Sequence, residues 1–230
     1  MARHEVTLTA REEIAEGTMA FRFAKPAGLA FKAGQSVSVA LIDPPPEPNS
    51  ARRTFSLASA PCEAELMVAT RMREGSAFKR ALKSLSLGAP VRISGPLGDM
   101  TLHEDAARPA VFIAGGIGIT PFRSMLLQAE HDRLQHRLLL AYSNRKRGQA
   151  AFLAELEALE KRHDRFRLLA LMTDTDGLLN EAALKRFAGD AAGAVYYLAG
   201  PPAMVGAMTT LLANAGVAAD GVRSEEFFGY

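Results

Sequence analysis

Hydrophobic and polar positions follow two different patterns along this chain. Up to about residue 100 the apolar residues come in short runs, several of them alternating with polar ones: "HEVTLTA", "GTMAFRF", "QSVSVALI", "RTFSLAS", "AELMVAT" and "APVRISG". Turn-forming clusters ("KPAG", "KAGQ", "DPPPEPNS", "SAPCE") separate these runs. Many short strands punctuated in this way predict an antiparallel β-barrel or sandwich. One helix is predicted among them over residues 76 to 86, where Phe78, Leu82 and Leu85 recur at helical spacing.

From about Arg108 the pattern changes. "PAVFIAGG" is a continuous apolar run, as expected of a parallel strand buried on both faces. A helix is predicted from 121 to about 135, then strand "RLLLAYS", helix "AAFLAELEALEKRH" and strand "RFRLLALMT". Helix "NEAALKRFA", strand "AVYYLAG" and helix "PAMVGAMTTLLANAG" complete the series. Alternation of this kind predicts a parallel sheet with right-handed crossovers. The fold class expected is therefore two domains, an antiparallel β-barrel over residues 1–103 and an α/β parallel-sheet domain over 109–230. "LHEDAARP", residues 102 to 109, is the boundary; the proline-rich "DPPPEPN" reads as a loop.

Composition narrows the chemistry. With 27 Lys and Arg against 25 Asp and Glu, spread along 230 residues, nothing calls for nucleic acid. The single cysteine, Cys62, excludes an internal disulfide, an all-cysteine iron–sulfur site and a multi-cysteine zinc site. The five histidines, His4, His103, His131, His136 and His163, lack the helical spacing of a compact metal site and read as polar residues facing water. No metal is expected. No apolar run approaches a membrane span, and the first residues lack the pattern of a secretion signal, so the cytoplasm is the expected compartment.

Two glycine-rich turns then stand out. In "IAGGIGITPFRSML", Gly115, Gly116 and Gly118 fall where a strand ends. Thr120 suits an N-cap and Pro121 the first helical position. Backbone amides and the positive end of the helix dipole then face an approaching anion. "LAGPPAMV" repeats the arrangement with Gly200, Pro201 and Pro202. In open parallel sheets ligands lie beyond the carboxyl ends of the strands, where both turns fall.

"RRTFSLAS", "GPLG", "GGIGITP", "GPPAMV" and a closing "EEFFGY" occur in this order and spacing. This ordered set resembles the ferredoxin–NADP⁺ reductase superfamily of flavoenzymes, over essentially the whole chain. The resemblance implies a barrel that binds FAD, an α/β domain that binds NAD(P)H, and a flavin ring between them. It implies that Arg53 contacts a flavin phosphate and that Thr54, Phe55 and Ser56 line the flavin, with Ser56 near its N5 as the residue closest to the chemistry. Phe55 stands where the family usually has tyrosine. Thr70 and Arg71 become neighbours of the ribityl chain or a phosphate. Gly75, Ser76 and Ala77 become the helix start that meets the pyrophosphate, although a plain N-cap explains Ser76 as well. At the chain's end Glu225, Phe227, Phe228 and Tyr230 are candidates to close over the flavin.

In the second domain the resemblance assigns Gly115, Gly116, Gly118, Ile119, Thr120 and Pro121 to the nicotinamide dinucleotide, with Gly200, Pro201 and Met204 opposite. Ala199 takes a place often held by cysteine. "LAYSNRKR" should face the adenosine ribose; it offers Ser143 and Arg145 and no acidic residue. Arg145 can pair with a 2′-phosphate, which favours NADPH over NADH, though the same residues suit a solvated basic turn. The activity implied is transfer of a hydride from NAD(P)H to FAD, and of electrons onward to a separate ferredoxin or flavodoxin. A flavin reductase that uses free flavin as substrate is the alternative. A nucleotide- or flavin-binding subunit without turnover is a third reading.

Overall fold

A computed structural model describes residues 2–47, 50–189 and 193–228. Strands β1 (Ala2–Ala15), β2 (Thr18–Ala24), β3 (Ser36–Leu41), β4 (Arg52–Ser56), β5 (Glu65–Arg71) and β6 (Pro90–Leu97) form one antiparallel sheet in the order β4-β3-β6-β1-β2-β5. Its two edges meet through a bridge between Leu57 and Val68 and a bond from Ala58 N to Met67 O at 2.8 Å, which closes the sheet on itself. Inward-facing Val37, Val39, Phe21, Phe23, Val68 and Ile93 fill the interior, as the alternating pattern requires.

Helix α1 (Ala77–Ser84) follows β5. Ser76 caps it, its hydroxyl accepting the Lys79 amide, a contact worth about 1 kcal/mol. Phe78 and Leu82 are buried against the barrel and Leu85 packs on the same cluster.

Strands β7 (Ala110–Gly115), β8 (Leu138–Asn144), β9 (Phe166–Met172), β10 (Val195–Gly200) and β11 (Val222–Glu226) form a parallel sheet in the order β11-β10-β7-β8-β9. Helices α2 (Ile119–His131) and α3 (Leu153–Arg162) cover one face. The short α4 (Thr173–Asp176) follows β9, and α5 (Glu181–Ala188) and α6 (Pro202–Asn214) cover the other face. Every residue of β7 and β10 is buried, which is why these strands read as unbroken apolar runs. Among the described residues no helix is long and apolar enough to cross a membrane.

Four sequence expectations need correction. Helix α2 begins at Ile119, because a 3-10 turn over Gly116–Gly118 runs straight into it. Gly118 is therefore the N-cap, Pro121 is the third helical residue, and the Thr120 hydroxyl donates to Ile117 O at 3.1 Å. Strand β11 was not expected; its sequence "VRSEE" has no strand-like alternation and its order comes from pairing with β10. His103 and His136 are buried rather than superficial: His103 N donates to the Tyr197 hydroxyl at 2.9 Å, and His136 Nε2 lies 2.9 Å from His103 O. The start of the 102–109 connection is thus pinned to β10.

Candidate functional site

A cavity of about 610 Å³ opens between the two sheets. One wall is β4 with Arg53, Thr54, Phe55 and Ser56. A second comes from Ala69, Thr70 and Arg71 at the end of β5, with Arg73, Gly75, Ser76 and Lys79 following. The third comes from the parallel sheet: Ile117 and Thr120 beside the first glycine turn, and Glu225 to Phe228 at and beyond the end of β11. All the flavin-side residues inferred from the sequence meet here except Ala77, which is buried beneath, and Tyr230, which lies outside the described residues.

The cavity has two chemical ends. Arg53, Arg71, Arg73 and Lys79 make one end cationic, beside the N-terminus of α1. Lys79 donates to Arg71 O at 2.8 Å. Burial, with Arg73 and then Arg53 nearby, pushes its ammonium pKa down to about 8. Such crowding of positive charge is relieved by a bound anion. Phe55, whose ring sits 5.9 Å from Phe78, joins Ala69, Ile117 and Phe227 in offering apolar surface. An elongated group with an aromatic end and a phosphate end fits this arrangement.

At the centre the buried Ser56 hydroxyl donates to Glu225 Oε2 at 3.1 Å. Burial raises the Glu225 pKa above the ordinary carboxylate range; the Ser56 bond opposes this and Asp99 adds to it. The pair joins β4 of the barrel to β11 of the parallel sheet. Phe227 N donates to Gly200 O at 2.9 Å, so the second glycine turn holds the segment that carries Glu225.

The two glycine turns are themselves in contact, since β7 and β10 are neighbours. A Cβ on Gly115 would meet Met204 Sδ at 2.5 Å and Pro201 Cδ at 3.0 Å. One on Gly118 would run into the carbonyl of Ala199 and reach Gly200 N at 2.7 Å. Gly116 has φ +53° and Gly200 φ +153°, conformations open to glycine. Gly115, Gly116, Gly118, Ile119, Gly200, Pro201 and Met204 thus form one lip beyond the carboxyl ends of adjacent strands. Ser143, opposite Gly115 in β8, extends this edge, with Arg145 just past it. Pro121 is buried within α2.

Sequence reasoning missed Arg73, Lys79 and Asp174. Arg73 and Lys79 flank the capped start of α1, and a cluster of basic residues there was a usable signal. Asp174 was not visible: it sits on α4 beyond β9, yet its carboxylate lies 3.9 Å from Arg145 Nε and its amide donates to Arg145 O at 3.2 Å. An acidic group therefore does stand at the end of β8, supplied by the next strand's loop.

A flavin-sized cleft with a cationic end, flanked by a double-glycine lip on a parallel sheet, defines a two-cofactor oxidoreductase. Residues 5–102 match the oxidoreductase FAD-binding domain and residues 112–210 the oxidoreductase NAD-binding domain. The chain belongs to the ferredoxin–NADP⁺ reductase-like family of FAD- and NAD(P)H-binding oxidoreductases. It is 33% identical over 197 residues to the reductase component of phenol 2-monooxygenase from Pseudomonas sp. (strain CF600), covering 79% of this chain and 53% of the relative. It is 29% identical over 191 residues to the NAD(P)H-flavin reductase of Aliivibrio fischeri, covering 78% of each. The flavohem-like FAD/NAD-binding domain of nitric oxide dioxygenase from Vibrio cholerae superposes with a TM-score of 0.83 at 20% identity, over 97% of this chain and 98% of that one. The chain spans 53% of the first curated relative and 59% of the next two.

Proposed function

We propose that this protein takes two electrons from NADPH onto FAD and delivers them to a separate electron-carrier protein, a ferredoxin or flavodoxin. The observation that carries this reading is the cavity between the two sheets, lined by the flavin-side residues, by Ile117 and Thr120 beside the first glycine turn, and by the bonded pair Ser56 and Glu225. Bound flavin supplies a ring that accepts an electron pair and releases it in one or two steps. The chain supplies binding, orientation and proton control.

Residues 1–103 serve as the FAD unit and 109–230 as the NAD(P)H unit. Arg53, with Arg71, Arg73 and Lys79, holds the flavin phosphates, and the amides at Gly75 to Ala77 add the helix N-terminus. Thr54, Thr70 and Phe55 line the flavin, and Phe227 closes the cavity; Tyr230 belongs to the same tail. Ser56 Oγ donates its hydrogen bond to Glu225 Oε2, and burial shifts Glu225 toward its protonated form. The glycine lip takes the dinucleotide's pyrophosphate, while Thr120 and Ile117 border the flavin from the nucleotide side. Ser143 and Arg145 take the adenosine end, Arg145 pairing with the 2′-phosphate. The likeness to a monooxygenase reductase component supports a protein acceptor.

A second reading, NAD(P)H-dependent reduction of free flavin, is favoured by Phe55 in place of the phenol and by the flavin reductase relative. An anaerobic absorbance titration with NADPH and NADH in parallel separates them. Protein that is yellow as purified and bleached by NADPH supports the first reading. Colourless protein that reduces added flavin supports the second. Retained flavin that neither nucleotide bleaches sinks both.

A further inference from the structure

Helix α2 carries the first glycine turn at its start and meets the barrel at the segment after β4 and at Gly34, through Arg123, Ser124 and Gln128. At the centre of that contact is Arg123, only 4% exposed. All five of its guanidinium donors are engaged. Nη1 donates to Ala58 O at 2.7 Å and to Glu63 Oε2 at 2.9 Å. Nη2 donates to Glu63 Oε1 at 3.3 Å and Glu155 Oε1 at 2.7 Å, and Nε donates to Glu155 Oε2 at 2.7 Å. The Phe152 ring packs over the guanidinium at 5.0 Å. Ser124 repeats the link, its hydroxyl donating to Ser59 O at 2.7 Å and accepting from Gly34 N at 3.4 Å.

The lever arms are short. Ala58 lies two residues beyond Ser56, and Arg123 lies three residues, less than one helical turn, beyond Thr120; both end points border the cavity. A shift of the Arg123 contact is therefore passed to the cavity almost undiminished. Interiors packed in this way transmit displacement rather than absorb it. We propose that Arg123 is a positioning residue that holds α2 and its glycine turn in register with β4, and so sets the spacing between the nicotinamide and flavin positions. This rests on the proposed function. Lysine cannot replace it, because one ammonium cannot serve two carboxylates in bidentate fashion and a carbonyl together.

The test uses FAD-loaded protein and three variants: R123K, R123M and the triple R123M/E63Q/E155Q. The triple removes the carboxylates that R123M would leave without a cation. It should recover most of the thermal stability lost in R123M, and keep FAD content and NADP⁺ affinity within about twofold. Its first-order rate of flavin reduction by NADPH should still fall about 10- to 100-fold, the scale of an ~1 Å misplacement. The change that NADP⁺ binding makes in the absorbance of oxidised flavin should fall with it. A triple variant that regains both rate and difference spectrum would overturn the inference, leaving Arg123 a stabilising residue only. If the triple does not fold, wild-type values of both readouts in R123K overturn it equally. A wild-type protein that NADPH fails to reduce refutes the functional reading itself. NADP⁺ difference spectra then still decide the role of Arg123, by showing whether the contact governs how closely the two cofactors lie.

Discussion

Gly118→Ala tests the closeness of the two glycine turns, and its sign is informative. Gly118 has φ −59° and ψ −7°, ordinary helical values that alanine adopts freely. Judged on conformation alone, the change should stabilise the protein by about 0.4–1 kcal/mol, through the unfolded chain. Space gives the opposite answer. The added methyl would collide with the Ala199 carbonyl and sit 2.7 Å from Gly200 N, where ordinary contacts begin at 3.4 Å. Both obstacles are backbone, so no side chain can swing aside. The Ala199 carbonyl, the nearest obstacle, must retreat by more than about 1 Å, and overpacking of this kind costs roughly 1–3 kcal/mol. Movement on that scale at the nucleotide lip should also slow flavin reduction by about one to two orders of magnitude. Urea denaturation gives the first quantity and anaerobic stopped-flow absorbance the second. A stabilised Gly118→Ala with an unchanged rate would falsify the claim that the first turn must touch the second.

Glu225→Gln addresses the central pair. The folded protein keeps the Glu225 proton above the ordinary carboxylate range, whereas the unfolded chain has released it. Stability is therefore lost as pH rises through that interval; thermal midpoints of the variant should be flatter there, and an unchanged pH profile would contradict the assignment. Lys79 gives the reverse sign. Between its folded pKa of about 8 and its usual 10.5 the unfolded chain binds the extra proton, so flavin-free protein should gain stability as pH rises across that range. Lys79→Met should remove the gain and weaken FAD binding measurably in a fluorescence titration. Arg145→Ala should raise KM for NADPH several-fold with little effect on NADH, and Asp174→Asn should lower KM for NADPH; equal effects on both nucleotides would remove the 2′-phosphate argument.

Strands β7, β8 and β10 were legible because burial on both faces leaves an apolar run. Barrel strands such as β3 and β6 were legible because one face is less buried and alternation survives, whereas β2 and β5 are buried almost throughout. Both glycine turns could be located, but not the way one seats the other, since Gly118 against Ala199 joins positions 81 residues apart (199 minus 118). Thr120 before Pro121 has the residue types of a helix cap, but a 3-10 turn over Gly116–Gly118 supplies the helix's first bends instead. Strand β11 stayed hidden because its side chains are polar or half-buried and only its backbone pairing makes it a strand. Arg123 carried no local signal at all. It reads as one more basic residue on an amphipathic helix, and its meaning depends on Glu63 and Glu155 arriving from elsewhere.

The docking of β11 on β10 has a consequence for biosynthesis. Two walls of the cavity come from residues 53 to 79 and are joined once β6 has paired with β3 and β1, yet Glu225 and Phe227 are translated 146 residues or more after Lys79 (225 minus 79 is 146). β11 can join the sheet only after β10 has been threaded beside β7. A flavin meeting the nascent barrel would find an open, solvent-washed trough. Closure over the cofactor therefore waits for residues 222 to 227, and a ribosome stalled before residue 222 should carry a chain that holds flavin more weakly than one extended past residue 228.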